Sequence, residues 1–235
     1  MLLRAPAKLT LSLRVTGRRD DGYHLIDAEM VSLDLHDDLL FADGDDLVVH
    51  GGAGLPVVAD DDNLVRRALR ACGRTAHVTL TKRIPAGGGL GGGSADAAAV
   101  LRWAGRADDV ALAASLGADV PFCLRGGRAR VTGIGDELAP LADVDRTFTL
   151  LTPPFGVSTP AVYRAWDDLG GPTADGPNDL EPAALAVEPR LAEWRDRLGD
   201  ATGGTPVLAG SGSTWFVEGA FPGDDRVVTR TSPRT

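Results

Sequence analysis

I-P-A-G-G-G-L-G-G-G-S-A-D, residues 84–96, decides how the rest of the chain is read. Gly87, Gly88, Gly89, Gly91, Gly92 and Gly93 surround a single Leu90. Ser94-Ala95-Asp96-Ala97-Ala98-Ala99-Val100-Leu101 follows, with the composition of an Ala-rich helix. Bare glycines let backbone N–H groups crowd around a phosphate, and a helix start adds unpaired donors and partial positive charge. The stretch therefore reads as an anion-binding loop, braced at its entry by Pro85. It does not fit G-x-x-x-x-G-K-[ST], because no lysine follows the glycines. No acidic residue is placed after a second strand to read a ribose, as a dinucleotide fingerprint requires. A flexible linker is the alternative; the apolar strand before the loop, Pro85 and the helix after it argue against one.

The chain has 235 residues, enough for one large domain or two small lobes, and a formal net charge of −9. That charge argues against a nucleic-acid surface and against an anionic membrane as partner. An acidic chain that binds a phosphorylated ligand must build a local positive site from few cations. Only two of the 24 basic residues are lysine, Lys8 and Lys82; the rest are arginine. A lysine kept in so arginine-rich a chain marks a place for a compact point charge, although each alone is equally a surface lysine. Cys72 and Cys123 are isolated, and the four histidines show no metal spacing. A reduced, cytoplasmic chain without structural zinc is the expectation, as a monomer or homodimer. The N-terminus is too quickly charged for a signal peptide, and no apolar run approaches membrane length.

Ala7–Val15 alternates apolar and polar residues, which predicts a half-buried strand with Lys8 and Thr10 on its polar face. Leu25–Leu35, Leu39–Ala42, Leu47–His50 and Val78–Leu80 read as further strands. Asn63–Cys72 reads as a helix capped from 60–62. A short helix is expected near Asp108–Leu116, and 117–124 is expected to turn into a strand. Arg128–Thr132, Thr147–Leu151, Val207–Ala209, Thr214–Val217 and Val227–Thr229 read as strands, and 159–200 as mostly helical. G-S-G-S at 210–213 is a second glycine–serine turn. The pattern suggests an N-terminal lobe over 1–152 and a C-terminal lobe over 153–235 that share a cleft.

Three separated motifs, P-A-K-L-T-L-S-L (6–13), P-A-G-G-G-L-G-G-G-S-A-D (85–96) and L-A-G-S-G-S-T-W-F (208–216), together resemble the GHMP small-molecule kinases. D-G-Y-H (21–24), D-N-L (62–64), L-G-A-D-V-P-F (116–122) and P-F-G-V-S-T-P (154–160) extend the likeness, in the expected order, over nearly the whole chain. The resemblance implies an α+β, two-lobed GHMP kinase fold. Its N-terminal, ATP-binding lobe is similar to ribosomal protein S5, its C-terminal lobe is an α/β sandwich, and the active site lies in the cleft. It implies transfer of the ATP γ-phosphoryl group, with Mg2+, to the 2-hydroxyl of a small molecule, cytidine diphosphate methylerythritol, in non-mevalonate isoprenoid synthesis.

Carried over residue by residue, the resemblance makes Lys8 and Asp119 the catalytic pair, with Asp119 accepting or orienting the hydroxyl proton and Lys8 offsetting charge. Pro85 and Gly87 through Ser94 would cradle the ATP phosphates, with Asn63 and Lys82 towards the adenine. Tyr23 and His24 would read the cytosine, stacking on Tyr23 or Tyr163, and Thr159, Gly210, Ser211 and Gly212 would lie against substrate. The metal ligands stay open. Asp119 alone also reads as a cap, Tyr23 and His24 as strand-edge residues, and Asn63 as a plain helix start. Three features depart from the family pattern: Thr10 stands where Asn is usual, Ala95 where Ser is usual, and a helix common near the C-terminus is missing. Another GHMP kinase, or a nucleotide-binding homologue without catalysis, remains the alternative.

Overall fold

The computed structural model describes residues 1–52 and 56–234. The chain opens with two long antiparallel strands, β1 (Leu2–Arg18) and β2 (His24–Ala42), paired from Leu2↔Leu40 to Arg18↔His24. The two segments expected at 25–35 and 39–42 are thus one continuous strand. Asp37 and Asp38 do not break it, because its pairing to β1 runs straight past them. The other edge of β2 is shared. β4 (His77–Lys82) takes residues 38–42 and β5 (Arg128–Thr132) takes 28–31. β3 (Asp46–Gly51) adds parallel to β4, and β6 (Glu137–Pro140), which the pattern did not signal, adds to β5.

Against this sheet pack α2 (Gly92–Trp103) and α4 (Val120–Arg125), and α1 (Leu64–Ala71) and α3 (Val110–Leu116) pack on those helices. Seven consecutive α2 residues from Ala95 to Leu101 are buried, four of them alanine. A helix apolar on all sides is stable only inside, and alanines let it approach β1, α1 and α4 closely. The strand expected over 117–124 is instead α4. Pro121 sits in its first turn, where its missing N–H costs nothing and its fixed φ favours helix.

A second, antiparallel sheet has the order β10-β7-β9-β8. It comprises β7 (Thr147–Leu151), β8 (Val207–Leu208), β9 (Trp215–Glu218) and β10 (Val227–Arg230). Three helices, α5 (Thr159–Asp168), α6 (Glu181–Val187) and α7 (Leu191–Thr202), fill the region expected to be helical. β7 lies ahead of residue 153 but pairs with β9 and β10, so its hydrogen bonds belong to this second sheet.

Lys82, at the end of β4, is buried between two carboxylates. Its Nζ bonds Asp37 of β2 and lies 2.8 Å from Asp96 Oδ2 of α2. Asp37 is the better served acid. Its other oxygen accepts the N–H groups of Arg83 at 2.5 Å and Ile84 at 2.8 Å. Asp96 Oδ1 is buried with no hydrogen-bond partner among the described residues. Burial, together with the nearby Asp37 charge and against the pull of Lys82, pushes Asp96 up to about 7. Burial also works against the Lys82 charge, but the two carboxylates outweigh it and raise the lysine.

The Asp96 shift makes a stability prediction. Between about pH 4 and 7 the folded chain keeps a proton on Asp96 that the unfolded chain has lost. Raising the pH through that window therefore removes stability. Urea unfolding of the native chain and of Asp96→Asn should show the native chain losing ground to the variant from pH 5 to pH 8. A difference that does not change with pH would contradict this.

Candidate active site

The glycine loop enters from β4 through Pro85 and leaves into α2. It is fixed from both sheets. The N–H of Lys8 in β1 donates to Leu90 O at 3.0 Å, and the N–H of Thr214, just before β9, donates to Gly88 O at 3.1 Å. Gly89 and Gly91 have φ of +77° and +68°. A Cβ on Gly89 would stand 2.4 Å from Ala209 O and 2.7 Å from Gly212 O, so the two glycine turns touch backbone to backbone. A Cβ on Gly91 would stand 2.7 Å from Lys8 Cγ, so the lysine stem crosses the loop where only glycine fits. Gly91 is the N-cap of α2 and has no side chain to offer, so the first N–H groups of the helix are left for an outside acceptor.

Lys8 reaches past Gly91 to Asp119, with Nζ 3.4 Å from Asp119 Oδ2 and 3.2 Å from Thr10 Oγ1. The lysine side chain is buried and that of Asp119 is 34% exposed. Asp119 occupies the N-cap of α4 but makes no capping bond. Its carboxylate is therefore turned to Lys8 and the cleft rather than spent on the helix. Thr10 supplies Lys8 with a hydroxyl.

Two cavities flank the loop. One, of about 420 Å³, is lined by Val57, Val58, Asn63, Leu64, Lys82, Pro85, Gly87 through Gly93 and Asp96. Asn63 here caps α1. Its Oδ1 accepts from Val65 N at 2.9 Å and its Nδ2 donates to Val58 O at 2.8 Å, which ties down the cavity wall. Lys82 lines this cavity, with its ammonium committed to Asp37 and Asp96.

The other cavity, of about 530 Å³, runs from Lys8, Ser94 and Asp119 past Thr159, Gly210 and Ser211 to Tyr23, His24 and Tyr163. Thr159 Oγ1 and Ser211 Oγ are 2.7 Å apart. Tyr23 is 61% exposed and has a ring free to stack. The Tyr163 ring already stacks on His24, 4.7 Å between centroids and 23° between planes. Burial, with the charge of Asp119 beside it, raises Tyr163, so its hydroxyl stays protonated. Gly212 is set behind this wall, against Gly89 and Leu208.

Sequence reasoning missed three supports. Asn178 donates to Leu208 O at 2.8 Å and Gly210 O at 2.7 Å, which shapes the second glycine turn. Asp37 completes the Lys82 cluster. Asp167, on α5, holds His24 at 2.7 Å. Only Asp37 had a signal, as an acid inside an otherwise strand-like run.

The profile of the GHMP kinases N-terminal domain matches residues 63–127. The 4-diphosphocytidyl-2-C-methyl-D-erythritol kinase of Ruegeria pomeroyi is 42% identical, over 94% of this chain and 88% of its own. A solved 4-(cytidine 5'-diphospho)-2C-methyl-D-erythritol kinase superposes with a TM-score of 0.78 at 33% identity, covering 98% of this chain and 99% of that one. Homoserine kinase from Cytophaga hutchinsonii superposes with a TM-score of 0.59 at 17% identity, over 100% and 95% of the two chains, a likeness of fold.

The contact between the two glycine turns makes a prediction. Gly89→Ala should lower both the melting temperature and the affinity for ADP, because two carbonyls stand where its methyl must go. Gly199→Ala, inside α7 where a Cβ would meet nothing closer than 3.6 Å, should leave ADP affinity unchanged and hold or raise the melting temperature. Scanning calorimetry and titration calorimetry read both, and normal ADP binding by Gly89→Ala would contradict the packing.

Proposed function

The chain belongs to the 4-diphosphocytidyl-2-C-methyl-D-erythritol kinase family. From that membership we propose that it transfers the γ-phosphoryl group of ATP to the 2-hydroxyl of 4-diphosphocytidyl-2-C-methyl-D-erythritol, in the non-mevalonate route to isoprenoids. The observation that carries the reading is the Lys8–Asp119 pair lining the larger cavity, beside the uncapped start of α2 and the glycine loop, whose Gly89 and Gly91 line both cavities.

In this reading ATP lies with its base towards Val57, Val58 and Asn63 and its phosphates on the loop N–H groups. The cytidylyl substrate fills the larger cavity with its base at Tyr23 and His24. The substrate hydroxyl oxygen attacks the γ-phosphorus, the bond from phosphorus to the bridging oxygen breaks, and ADP leaves. The hydroxyl proton passes to Asp119. Lys8 offsets charge building on the transferred group, and the loop donors hold the phosphates in place. Little covalent chemistry falls to the protein, so positioning and electrostatics carry the rate.

Among the described residues no three acidic, histidine or cysteine side chains gather as a ready metal site. Mg2+ fits nonetheless, because it is ordinarily held by substrate phosphates and one or two protein oxygens. Asp119 and Ser94, which line the cavity beside the glycine loop, would supply those protein oxygens. When bound, the ion neutralises phosphate charge. No helix among the described residues is long and apolar enough to cross a membrane. Cys72 and Cys123 are both free thiols, which fits a cytoplasmic setting.

Asp119→Asn keeps the shape of the site and removes the proton acceptor. It should lower kcat by about 10²- to 10⁴-fold while ADP affinity stays within a factor of about two. Turnover near that of the native chain, read as ADP release with substrate present, would remove Asp119 from the mechanism.

A further inference from the structure

His24 is held on three sides. One ring face stacks on Tyr163, and its edge meets Trp166 at 5.7 Å and 90°. Its Nε2 lies 2.7 Å from Asp167 Oδ1. Tyr163, Trp166 and Asp167 stand at i, i+3 and i+4 on one face of α5, the spacing that lets a helix present three side chains to one target. Arg18 approaches the other Asp167 oxygen at 3.3 Å. Only Nδ1 has no hydrogen-bond partner among the described residues, and His24 lines the larger cavity.

An ionised carboxylate only accepts hydrogen bonds, so the Nε2 facing Asp167 must carry the hydrogen. In the neutral ring this leaves Nδ1 bare, a pure acceptor. A cytosine edge offers an exocyclic amine at position 4, where uracil offers a carbonyl oxygen. We propose that Asp167 is a positioning residue that fixes His24 in the Nε2–H form, so that Nδ1 accepts from the amine of a cytosine and selects a cytidylyl over a uridylyl ligand. The base preference rests on the cytidylyl reading above; the Asp167–His24 assignment does not. Tyr23 stacks on any base and is indifferent to its edge, so selection falls to the group whose proton is fixed.

Two measurements test this. ¹⁵N shifts of the His24 ring at pH 8, where an ordinary imidazole is neutral, report which nitrogen carries the hydrogen. Titration calorimetry with CDP, UDP and ADP reports selection. The native chain should show Nε2–H and bind CDP more tightly than UDP. Asp167→Asn can donate to Nε2 and so permits the opposite form. It should shift the ring towards Nδ1–H and weaken CDP about tenfold, with UDP and ADP little changed. Asp168→Asn, next along the helix and exposed, should change nothing. An unchanged ring in Asp167→Asn, or equal losses for CDP and UDP, would overturn the proposal. A native chain that does not prefer CDP, but whose ring still follows residue 167, would overturn the cytidylyl reading and uphold the Asp167–His24 assignment.

Discussion

The buried Asp37–Lys82–Asp96 cluster is the constraint on which the rest of the site depends. It joins β2, β4 and α2 at one point, below the glycine loop. The loop's own residues have little side chain with which to hold a shape. Its two ends are therefore fixed from beneath, by charge that cannot be solvated elsewhere without cost. Such a cluster is weak evidence for stability, since well-packed apolar groups often do as well. Its value lies in geometry. Lys82 sets the distance between the strand that enters the loop and the helix that leaves it, and Asp37 also takes the N–H groups of Arg83 and Ile84 on the way to the loop.

The loop is then closed from above by the second sheet. Thr214 binds it through the backbone, Gly89 touches the second glycine turn, and Asn178 shapes that turn in its own right. The glycine loop is thus a layer between two sheets. Its exposed edge faces both cavities, and Lys8 crosses it at Gly91 to meet Asp119. This explains why glycine is needed at 89 and 91, where the loop meets a second backbone and a lysine stem too closely for any Cβ; Gly210 and Gly212 are called for by their φ of +64° and +94°.

Much of this was legible in the residues. The glycine loop, the strand carrying Lys8 on its polar face, the helix after the loop and the second glycine turn all rest on local pattern, and local pattern survives folding. The strand expected over 117–124 did not. Its apolar run is too short to separate strand from buried helix by period, and the Pro121 position decides for helix. Lys82 was legible as a charge that matters, but not as a charge already spent, because its partners lie 45 positions before it and 14 after it. Asp167 was invisible for the same reason. It is one of two adjacent acids at the end of a half-buried helix, and only the fold brings it 143 positions back to His24.

The most direct test of this account is ADP release by the native chain with ATP and Mg2+. 4-Diphosphocytidyl-2-C-methyl-D-erythritol, homoserine and mevalonate would be supplied in turn at equal concentration. The account predicts release that depends on the first alcohol alone. Release driven equally by homoserine or mevalonate, or no release with any of them while ATP still binds, would contradict it.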